Sequence, residues 1–276
     1  MAFFTNQAQL TYAGGTVNSN VVVGEVTEVL AITKNALSGE YTSGETVTYA
    51  VNLINSGDAA LTDLTITDNL GEYAFGTETR VPLTLVDGAV QVYANGVLQP
   101  APTVTAGPPL VISDITVPAN GNATVLYQAV ANEFAPPAGS IVNQVTVSGT
   151  ITSLSATETI VADTAAQLSI TKSVSPVPVA ENGRLTYTFL IQNAGGAAEA
   201  TDNIVLTDTF DPILTDIAVL YNGTATTDYT YDETTGVFSS APQTITVPAA
   251  TYTQDPVTGA WTVVPGTALL TVTGTV

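Results

Sequence analysis

The chain has 276 residues, of which 24 are acidic and 4 basic, so its formal net charge at pH 7 is −20. It contains no histidine and no cysteine, which excludes disulfides, thiol nucleophiles, imidazole bases and Cys/His zinc sites. Since it also lacks a glycine-rich phosphate loop, we expect neither an enzyme nor a cofactor. A chain this acidic repels nucleic acid and anionic membranes, and no apolar stretch reaches the roughly 20 residues of a membrane span.

The N-terminal segment repeats a pattern that occurs later in the chain. Residues 6–10, Asn-Gln-Ala-Gln-Leu, match residues 143–147, Asn-Gln-Val-Thr-Val. Each asparagine is followed 28 or 29 residues later by the lysine of a Leu-x-Ile-Thr-Lys motif. The second repeat then stops at Val276, before a third Asn-Gln segment. We therefore expect another copy of the chain to supply its missing end.

The N-terminus also bears on location. It has no basic start of the kind that opens a signal peptide. This indicates a mature form, or a protein that leaves the cell without the usual export route, such as a spore-surface protein released by lysis. With few charged residues, the surface must be rich in Thr, Ser, Asn, Gln and Gly. We expect an extracellular location, on a cell surface or a spore surface.

Between these segments the pattern is β almost throughout. Short stretches rich in Val, Ile, Thr and Tyr alternate apolar and polar residues between turns of Gly, Pro, Asn and Asp. Segments of the first repeat have counterparts in the second: 45–53 and 184–191, 64–68 and 204–208, 92–96 and 219–223, 115–119 and 245–249, 123–130 and 268–275. This predicts an all-β fold with two tandem Ig-like antiparallel β-sandwiches.

Three regions follow from the repeats. Residues 1–28 are expected to be a donor-strand segment, and residues 29–163 a complete sandwich. Residues 164–276 are expected to form an incomplete sandwich that a neighbouring subunit completes.

The second repeat also carries an insertion at 251–264, with the only tryptophan, Trp261. It is typical of a hairpin, either structural or part of a lateral contact.

The order of the motifs resembles a known repeat. Each copy has Leu-x-Ile-Thr-Lys, then Thr-Tyr shortly after a glycine (Gly44 to Tyr49, Gly183 to Tyr187), and then Thr-Asp before a turn. Asn-Gln-x-x-(Val/Leu) comes last. This resembles a tandem surface repeat of bacteria and archaea that was long a domain of unknown function. It is similar to Ig-like modules of surface proteins and pilins, some of which form Lys–Asn isopeptide bonds. The resemblance implies a role at the cell surface or in an appendage.

The two lysines of the chain, Lys34 and Lys172, occupy the same position of the repeat. Strand alternation puts Leu30, Ile32 and Lys34 on one face, where a charged amine is costly unless it is paired. Burial lowers the pKa of an amine and favours the protonated form of a carboxylic acid. A protonated aspartic acid could then polarise an asparagine amide for attack by the neutral amine, with release of ammonia.

This predicts one isopeptide bond within the chain and one between chains. Glu45 is a poorer acid than the Thr-Asp aspartates, because Arg184 is its counterpart. The alternative is that both lysines reach solvent at the sheet rim and that both aspartates only begin turns. The predicted groups are Lys34, Asn143 and the acid Asp68 for the bond within the chain, and Lys172, Asn6 and the acid Asp208 for the bond between chains.

The open edge of the second sandwich is a template for strand addition. There Ala8 and Leu10 would replace Val145 and Val147. A head-to-tail interface that does not close gives an open fibre, whereas a closed monomer would fold the segment back on its own chain. The predicted donor residues are Phe3, Phe4, Ala8, Leu10, Val21 and Val23.

The sequence thus predicts a structural subunit of an extracellular filament, with identical subunits as partners. The alternative is a monomeric surface adhesin or carbohydrate-binding module that uses loops such as 228–232. Calcium at Asp202, Asp208 and Asp211 is a further alternative. We expect no metal, because acidic turns explain these residues more simply.

Overall fold

The computed structural model describes residues 2–26, 29–149 and 151–276. Antiparallel β-sheets dominate the chain, which confirms the predicted all-β fold. Two compact units are present, residues 1–135 with 140–160 and residues 136–139 with 161–276. Residues 27 and 28, where the first domain boundary was expected, lie outside the described residues. None of the described segments is a helix long and apolar enough to span a membrane.

The N-terminal segment is a β-hairpin with two arms, each of which contains two short strands. Its strands are β1 (Ala2–Asn6), β2 (Gln9–Tyr12), β3 (Gly15–Asn18) and β4 (Val22–Val26). β1 pairs with β4 and β2 with β3, all antiparallel. Every described side chain from Phe4 to Val23 is exposed, including Leu10 at 65%. We call residues 2–26 the N-terminal hairpin; the Phe3 side chain is outside the described ones.

The first sandwich follows this hairpin. One sheet has the order β13-β12-β16-β7-β5, with β11 also paired to β16, and the other has the order β14-β15-β8-β17-β18-β6. The strands are β5 (Leu30–Ala36), β6 (Glu40–Tyr41), β7 (Thr46–Asn55), β8 (Leu61–Asp68), β9 (Tyr73–Phe75), β10 (Glu78–Arg80), β11 (Leu83–Leu85), β12 (Gln91–Ala94), β13 (Val97–Leu98), β14 (Thr103–Thr105), β15 (Leu110–Val117), β16 (Gly121–Ala131), β17 (Ser140–Ser148) and β18 (Leu154–Ala162).

The second sandwich has one five-stranded sheet, with the order β19-β20-β28-β22-β23. A three-stranded sheet, β21-β25-β24, and the hairpin of β26 with β27 complete it. That hairpin is the predicted one at the insertion. The elements are β19 (Leu168–Ser175), β20 (Arg184–Asn193), the 3₁₀ turn Ala200–Asp202, β21 (Thr207–Thr209), β22 (Thr215–Tyr221), β23 (Thr224–Ala225), β24 (Tyr229–Asp232), β25 (Val237–Ser240), β26 (Thr251–Gln254), β27 (Trp261–Val264) and β28 (Gly266–Thr275).

Strand alternation fills both cores. In β7 and β20 every second residue is buried, so one face of each strand packs against the facing sheet. The two edge strands next to them differ. Two of the seven residues of β5, Leu30 and Lys34, are buried, whereas all residues of β19 are exposed.

The reason for this difference is the second sheet. In the first sandwich β8 lies between β15 and β17. In the second sandwich β21, which corresponds to the end of β8, pairs with β25 on one side. Its other side has no strand partner among the described residues. The second sandwich therefore lacks, in the described chain, counterparts of β17 and β18.

The turn after β8 sets the approach of β17. Asn69 Oδ1 accepts hydrogen bonds from the amides of Gly71 and Gln144, and Gln144 lies in β17. Gly71 has a φ of +76°, and a Cβ added there would lie 2.4 Å from Ile141 Cγ2, also in β17. Only glycine fits this left-handed position against the strand.

We predict that Gly71→Ala destabilises the first sandwich more than Gly76→Ala does. Gly76 also has a positive φ, +61°, but a Cβ there meets nothing within 4 Å. Gly76→Ala should therefore lower the free energy of unfolding by about 1–2 kcal/mol from backbone strain alone. Gly71→Ala should cost about 1–3 kcal/mol more from overpacking. Pulse proteolysis in urea would measure both changes in the free energy of unfolding. Equal changes would show that a side chain at position 71 does not clash with β17.

Candidate functional site

The first sandwich buries three polar side chains at its centre. Lys34 lies on β5 of one sheet, whereas Asp68 at the end of β8 and Asn143 on β17 belong to the other. All three are buried, and the side chains of Lys34 and Asp68 have 0% exposure. The distance from Lys34 Nζ to Asp68 Oδ2 is 2.6 Å. The structure thus brings the amine and the acid together across the core, with the asparagine on the adjacent strand.

A tyrosine joins the acid to the asparagine. Tyr127 Oη donates a hydrogen bond to Asp68 Oδ2 at 2.5 Å and accepts one from Asn143 Nδ2 at 3.1 Å. Asn143 Oδ1 is buried and has no hydrogen-bond partner among the described residues. The sequence pattern predicts an aspartate directly beside the amide. In the structure the link between them passes through Tyr127.

Asp68 has a structural role as well. Its Oδ1 accepts a hydrogen bond from the backbone amide of Leu70 at 2.9 Å, so the carboxylate also closes the turn after β8. One carboxyl oxygen therefore fixes the turn, and the other faces Lys34 and Tyr127. This fixes the carboxylate in one orientation within the core.

Burial controls the charge of Lys34. It lowers the pKa of the Lys34 amine from 10.5 to about 8, although Asp68 and then Glu158 favour the charged form. The amine lies 4.9 Å from the ring centroid of Tyr49 and 5.8 Å from that of Tyr127. These two rings stack at 5.3 Å. Lys34 does not reach solvent, so the alternative of a lysine at the sheet rim does not describe it.

Three residues of this cluster carry little signal in the sequence and were missed there. Tyr127 has Val272 as its counterpart, so comparison of the repeats gives no signal for it. Tyr49 recurs in the second repeat as Tyr187, which marks it only as a motif residue. Glu158 lies on β18, and its Oε1 accepts a hydrogen bond from the Ala36 amide at 3.3 Å. This hydrogen bond to β5, which the sequence does not predict, places the carboxylate near Lys34.

The second sandwich has an open version of the same site. Lys172 on β19 forms an ion pair with Asp208 on β21. Their side chains are 41% and 17% exposed. The Lys172 amine lies 4.6 Å from the ring centroid of Tyr187. The described residues supply this pair with no asparagine. Asn6 lies in the N-terminal hairpin, where it pairs with Val22.

An apolar groove lies beside this second ion pair. It has a volume of about 330 Å³ and runs between β19 and residues 204–207, with Ile170 57% exposed on one wall. In the first sandwich β17 lies along the corresponding segment of β8, with Val145 opposite Asp68 and Val147 opposite Ile66. The groove is therefore the counterpart of the place that β17 fills. Its lining residues are Leu168, Ser169, Ile170, Ile191, Ile204, Val205, Leu206 and Thr207.

Two of the three candidate calcium ligands have other partners. Asp208 pairs with Lys172, and Asp202 Oδ2 accepts a hydrogen bond from the Glu199 amide at 2.7 Å. The described residues contain no group of three or more acidic side chains arranged around one point.

No protein-family model matches the sequence, and no curated protein matches it. Among solved structures, the chain is similar to the C-terminal domain of the antigen I/II-family protein AspA of Streptococcus pyogenes. The identity is 9%, with 90% of this chain and 91% of that chain covered and a TM-score of 0.41.

Two pilus proteins are similar as well. For BcpA, the major pilin subunit of Bacillus cereus, the identity is 13%, the coverage 96% of this chain and 73% of that chain, and the TM-score 0.38. For RrgB, the pilus backbone of Streptococcus pneumoniae, the identity is 13% and the TM-score 0.35. The match covers 86% of this chain and 55% of that chain. At these identities and TM-scores the likenesses assign no function to the chain.

The lowered pKa of Lys34 predicts a pH dependence of stability in an Asn143→Ala variant, where no bond to Asn143 can form. Between the folded pKa of about 8 and the unfolded value of 10.5, the unfolded chain binds more protons than the folded one. The free energy of unfolding of the first sandwich should therefore rise by about 2 kcal/mol from pH 7 to pH 9.5. Pulse proteolysis in urea would measure it.

The matched control adds Lys34→Met to the same variant, since methionine keeps much of the side-chain length without a titrating amine. The rise should disappear in this double variant, while contributions from groups outside the Lys34–Asp68 pair remain. An equal rise in both variants would show that Lys34 titrates normally in the folded chain.

Proposed function

We propose that this chain is the structural subunit of an extracellular filament, at a cell or spore surface, that assembles head to tail. The N-terminal hairpin of one subunit would fill the groove of the second sandwich of the next. The observation that supports this most strongly is that the N-terminal segment and the groove correspond to two parts of the first sandwich that are in contact there. The open groove is the counterpart of the place occupied by β17, and residues 6–10 carry the sequence pattern of β17.

The first sandwich provides the register for this contact. There Val145 lies opposite Asp68, Thr146 opposite Thr67 and Val147 opposite Ile66. Transferred by the repeat, this register puts Ala8 opposite Asp208, Gln9 opposite Thr207 and Leu10 opposite Leu206. Asn6 then takes the place of Asn143, on the same strand face as Ala8 and Leu10. The asparagine would be brought to the Lys172–Asp208 pair.

Exposed apolar surface on both partners favours this docking. Leu10 and Val23 in the hairpin are exposed at 65% and 66%, and Leu168 and Ile170 line the groove. Burying about six such side chains, at roughly 1.5–3 kcal/mol each, gives on the order of 10 kcal/mol. Association and ordering offset a comparable amount. Docking alone would therefore be reversible.

The buried cluster of the first sandwich supports a covalent step. The neutral Lys34 amine would attack the side-chain carbonyl carbon of Asn143, and ammonia would leave. A secondary amide would then join β5 to β17 across the core without a cofactor. In the second sandwich Lys172 would bond to Asn6 of the next subunit, after the docked hairpin has covered the groove. Covalent closure would thus follow assembly at this second site.

A gel of boiled material in denaturant tests the covalent filament. We predict a ladder of multimers, because each Lys172–Asn6 bond joins two chains. Asn6→Ala should remove the ladder and leave a single chain that is lighter than its sequence by one ammonia, from the Lys34–Asn143 bond. Intact-mass spectrometry measures that loss, and Gln7→Ala serves as the neighbouring control that keeps the ladder.

Other outcomes would point elsewhere. A single band at the full sequence mass would contradict both bonds and leave only reversible docking. A ladder that survives Asn6→Ala would place the link between chains at another residue. Monomers that bind glycans without forming fibres would favour the adhesin alternative.

The groove gives a separate prediction for docking. In an Asn6→Ala background, where assembly is reversible, Ile170→Asp should raise the critical concentration for fibre formation by roughly 30-fold or more, because a charge would enter an apolar contact. Val177→Asp is the control, since Val177 is 75% exposed and does not line the groove. Light scattering measures both, and equal effects would show that the groove is not the docking surface.

A further inference from the structure

Tyr127 occupies the only described path of hydrogen bonds from the acid to the amide of the first sandwich. Its ring is buried, and β16 holds its hydroxyl between Asp68 Oδ2, at 2.5 Å, and Asn143 Nδ2, at 3.1 Å. Asp68 Oδ2 also lies 2.6 Å from Lys34 Nζ. The atoms therefore form one chain, from the amine through the carboxylate and the phenol to the amide nitrogen.

The proposed reaction has a requirement that this chain of atoms meets. Asn143 Nδ2 must gain a proton before it can leave as ammonia, and the attacking Lys34 amine must lose one. We propose that the Tyr127 hydroxyl relays a proton from Asp68 to Asn143 Nδ2 during formation of the Lys34–Asn143 bond. This inference rests on the isopeptide bond of the proposed function and adds a catalytic residue to it.

Atoms and protons balance in this step. The lone pair of the neutral Lys34 amine forms the new bond to the side-chain carbonyl carbon of Asn143, and the attacking nitrogen passes a proton to Asp68 Oδ2. Once the carbonyl carbon is tetrahedral, Nδ2 has a free lone pair, and the Tyr127 hydroxyl turns from Asp68 to donate its hydrogen bond to Nδ2. Asp68 then passes a proton to Tyr127 Oη as the phenol passes its own proton to Nδ2. The bond from the carbonyl carbon to Nδ2 breaks, and ammonia leaves. Carboxylate and phenol are restored, and one amine and one carboxamide have become one secondary amide and ammonia.

The surroundings keep the phenol ready for this role. Burial raises the pKa of Tyr127 well above 10, with the nearby Asp68 carboxylate acting in the same direction, so the hydroxyl retains its proton. The neighbouring Tyr49 ring stacks on the Tyr127 ring. Tyr49 therefore keeps the phenol in place, while its own hydroxyl is not bonded to Asp68.

The second sandwich provides a natural contrast. Val272 occupies the position of Tyr127, and the rings around Lys172 are Tyr187, Phe189 and Phe210. The described residues thus place no phenol between Asp208 and the site expected for Asn6. The bond between chains would form without this relay, and therefore more slowly than the bond within the chain.

The experiment follows ammonia loss in freshly translated full-length chain, quenched in denaturant at increasing times and measured by intact-mass spectrometry. All variants carry Asn6→Ala, so that only the Lys34–Asn143 bond forms. Tyr127→Phe should slow ammonia loss by about 100-fold, within the range for proton transfer by a placed side chain. Tyr93→Phe, which removes a phenol of the same sandwich whose partner is Gln91 and which lies outside the cluster, should leave the rate within a few-fold of the parent.

A second measurement separates the relay from simple positioning. Fluorinated tyrosine at position 127 keeps the ring and both hydrogen bonds but makes the phenol more acidic. The relay predicts a rate that follows the acidity of the phenol, whereas a hydroxyl that only positions the amide leaves the rate unchanged. This measurement also decides the matter if Tyr127→Phe fails to fold, which circular dichroism would reveal.

The outcomes distinguish the two proposals. Normal ammonia loss in the parent with an unchanged rate in Tyr127→Phe would overturn the relay alone. Ammonia loss in neither would overturn the isopeptide bond, and the relay with it. A slow Tyr127→Phe together with an acidity-dependent rate in the fluorinated chain would support both.

Discussion

The burial of Lys34 against Asp68 is the interaction on which the rest of the structure depends. Moving two charges out of water costs several kcal/mol per ion even after relaxation, and an apolar pair of similar volume often serves stability as well or better. Both side chains nevertheless have 0% exposure. Under the proposed reaction this cost favours bond formation, because the amine becomes part of a neutral amide. Bond formation removes the charge of the amine from the core, and the Asp68 carboxylate keeps its hydrogen bonds from Tyr127 and from the Leu70 amide.

A single difference between the two sandwiches explains why the second pair is open. In the first, β17 lies beside β8 and closes the core over the ion pair. In the second, the corresponding side of β21 carries no strand in the described chain. The exposure of β19, of the groove and of Lys172 all follow from that. The equivalent lysine and aspartate are thus a desolvated pair in the first sandwich and a partly solvated pair in the second. The presence or absence of the strand equivalent to β17 causes this difference.

Sequence repetition predicts the shared parts of the site and not the rest. Lys34 and Asp68 recur as Lys172 and Asp208, and strand alternation puts the lysines on the core face, so the pattern of residues is enough to select both. It does not select Tyr127, because the counterpart of Tyr127 is a valine and an isolated tyrosine in a strand is normally part of the core. The pairing of β1 with β4 could not be predicted from the sequence either, because the alternation of apolar and polar residues indicates a strand but not the strand with which it pairs.

That pairing bears on how a donor would bind. In the first sandwich β17 is hydrogen-bonded on both edges, to β8 and to β18. A single donor strand in the second groove would satisfy one edge and leave the other as a new exposed edge, which invites further strand addition. The N-terminal hairpin already carries a partner for the donor strand, because its two arms are paired with each other. It would arrive with one edge satisfied and its backbone ordered, so less conformational entropy is lost on docking than for a free segment. A preformed hairpin would therefore stand in for the pair of β17 and β18, and it would do so at a lower cost in conformational entropy than a single free strand.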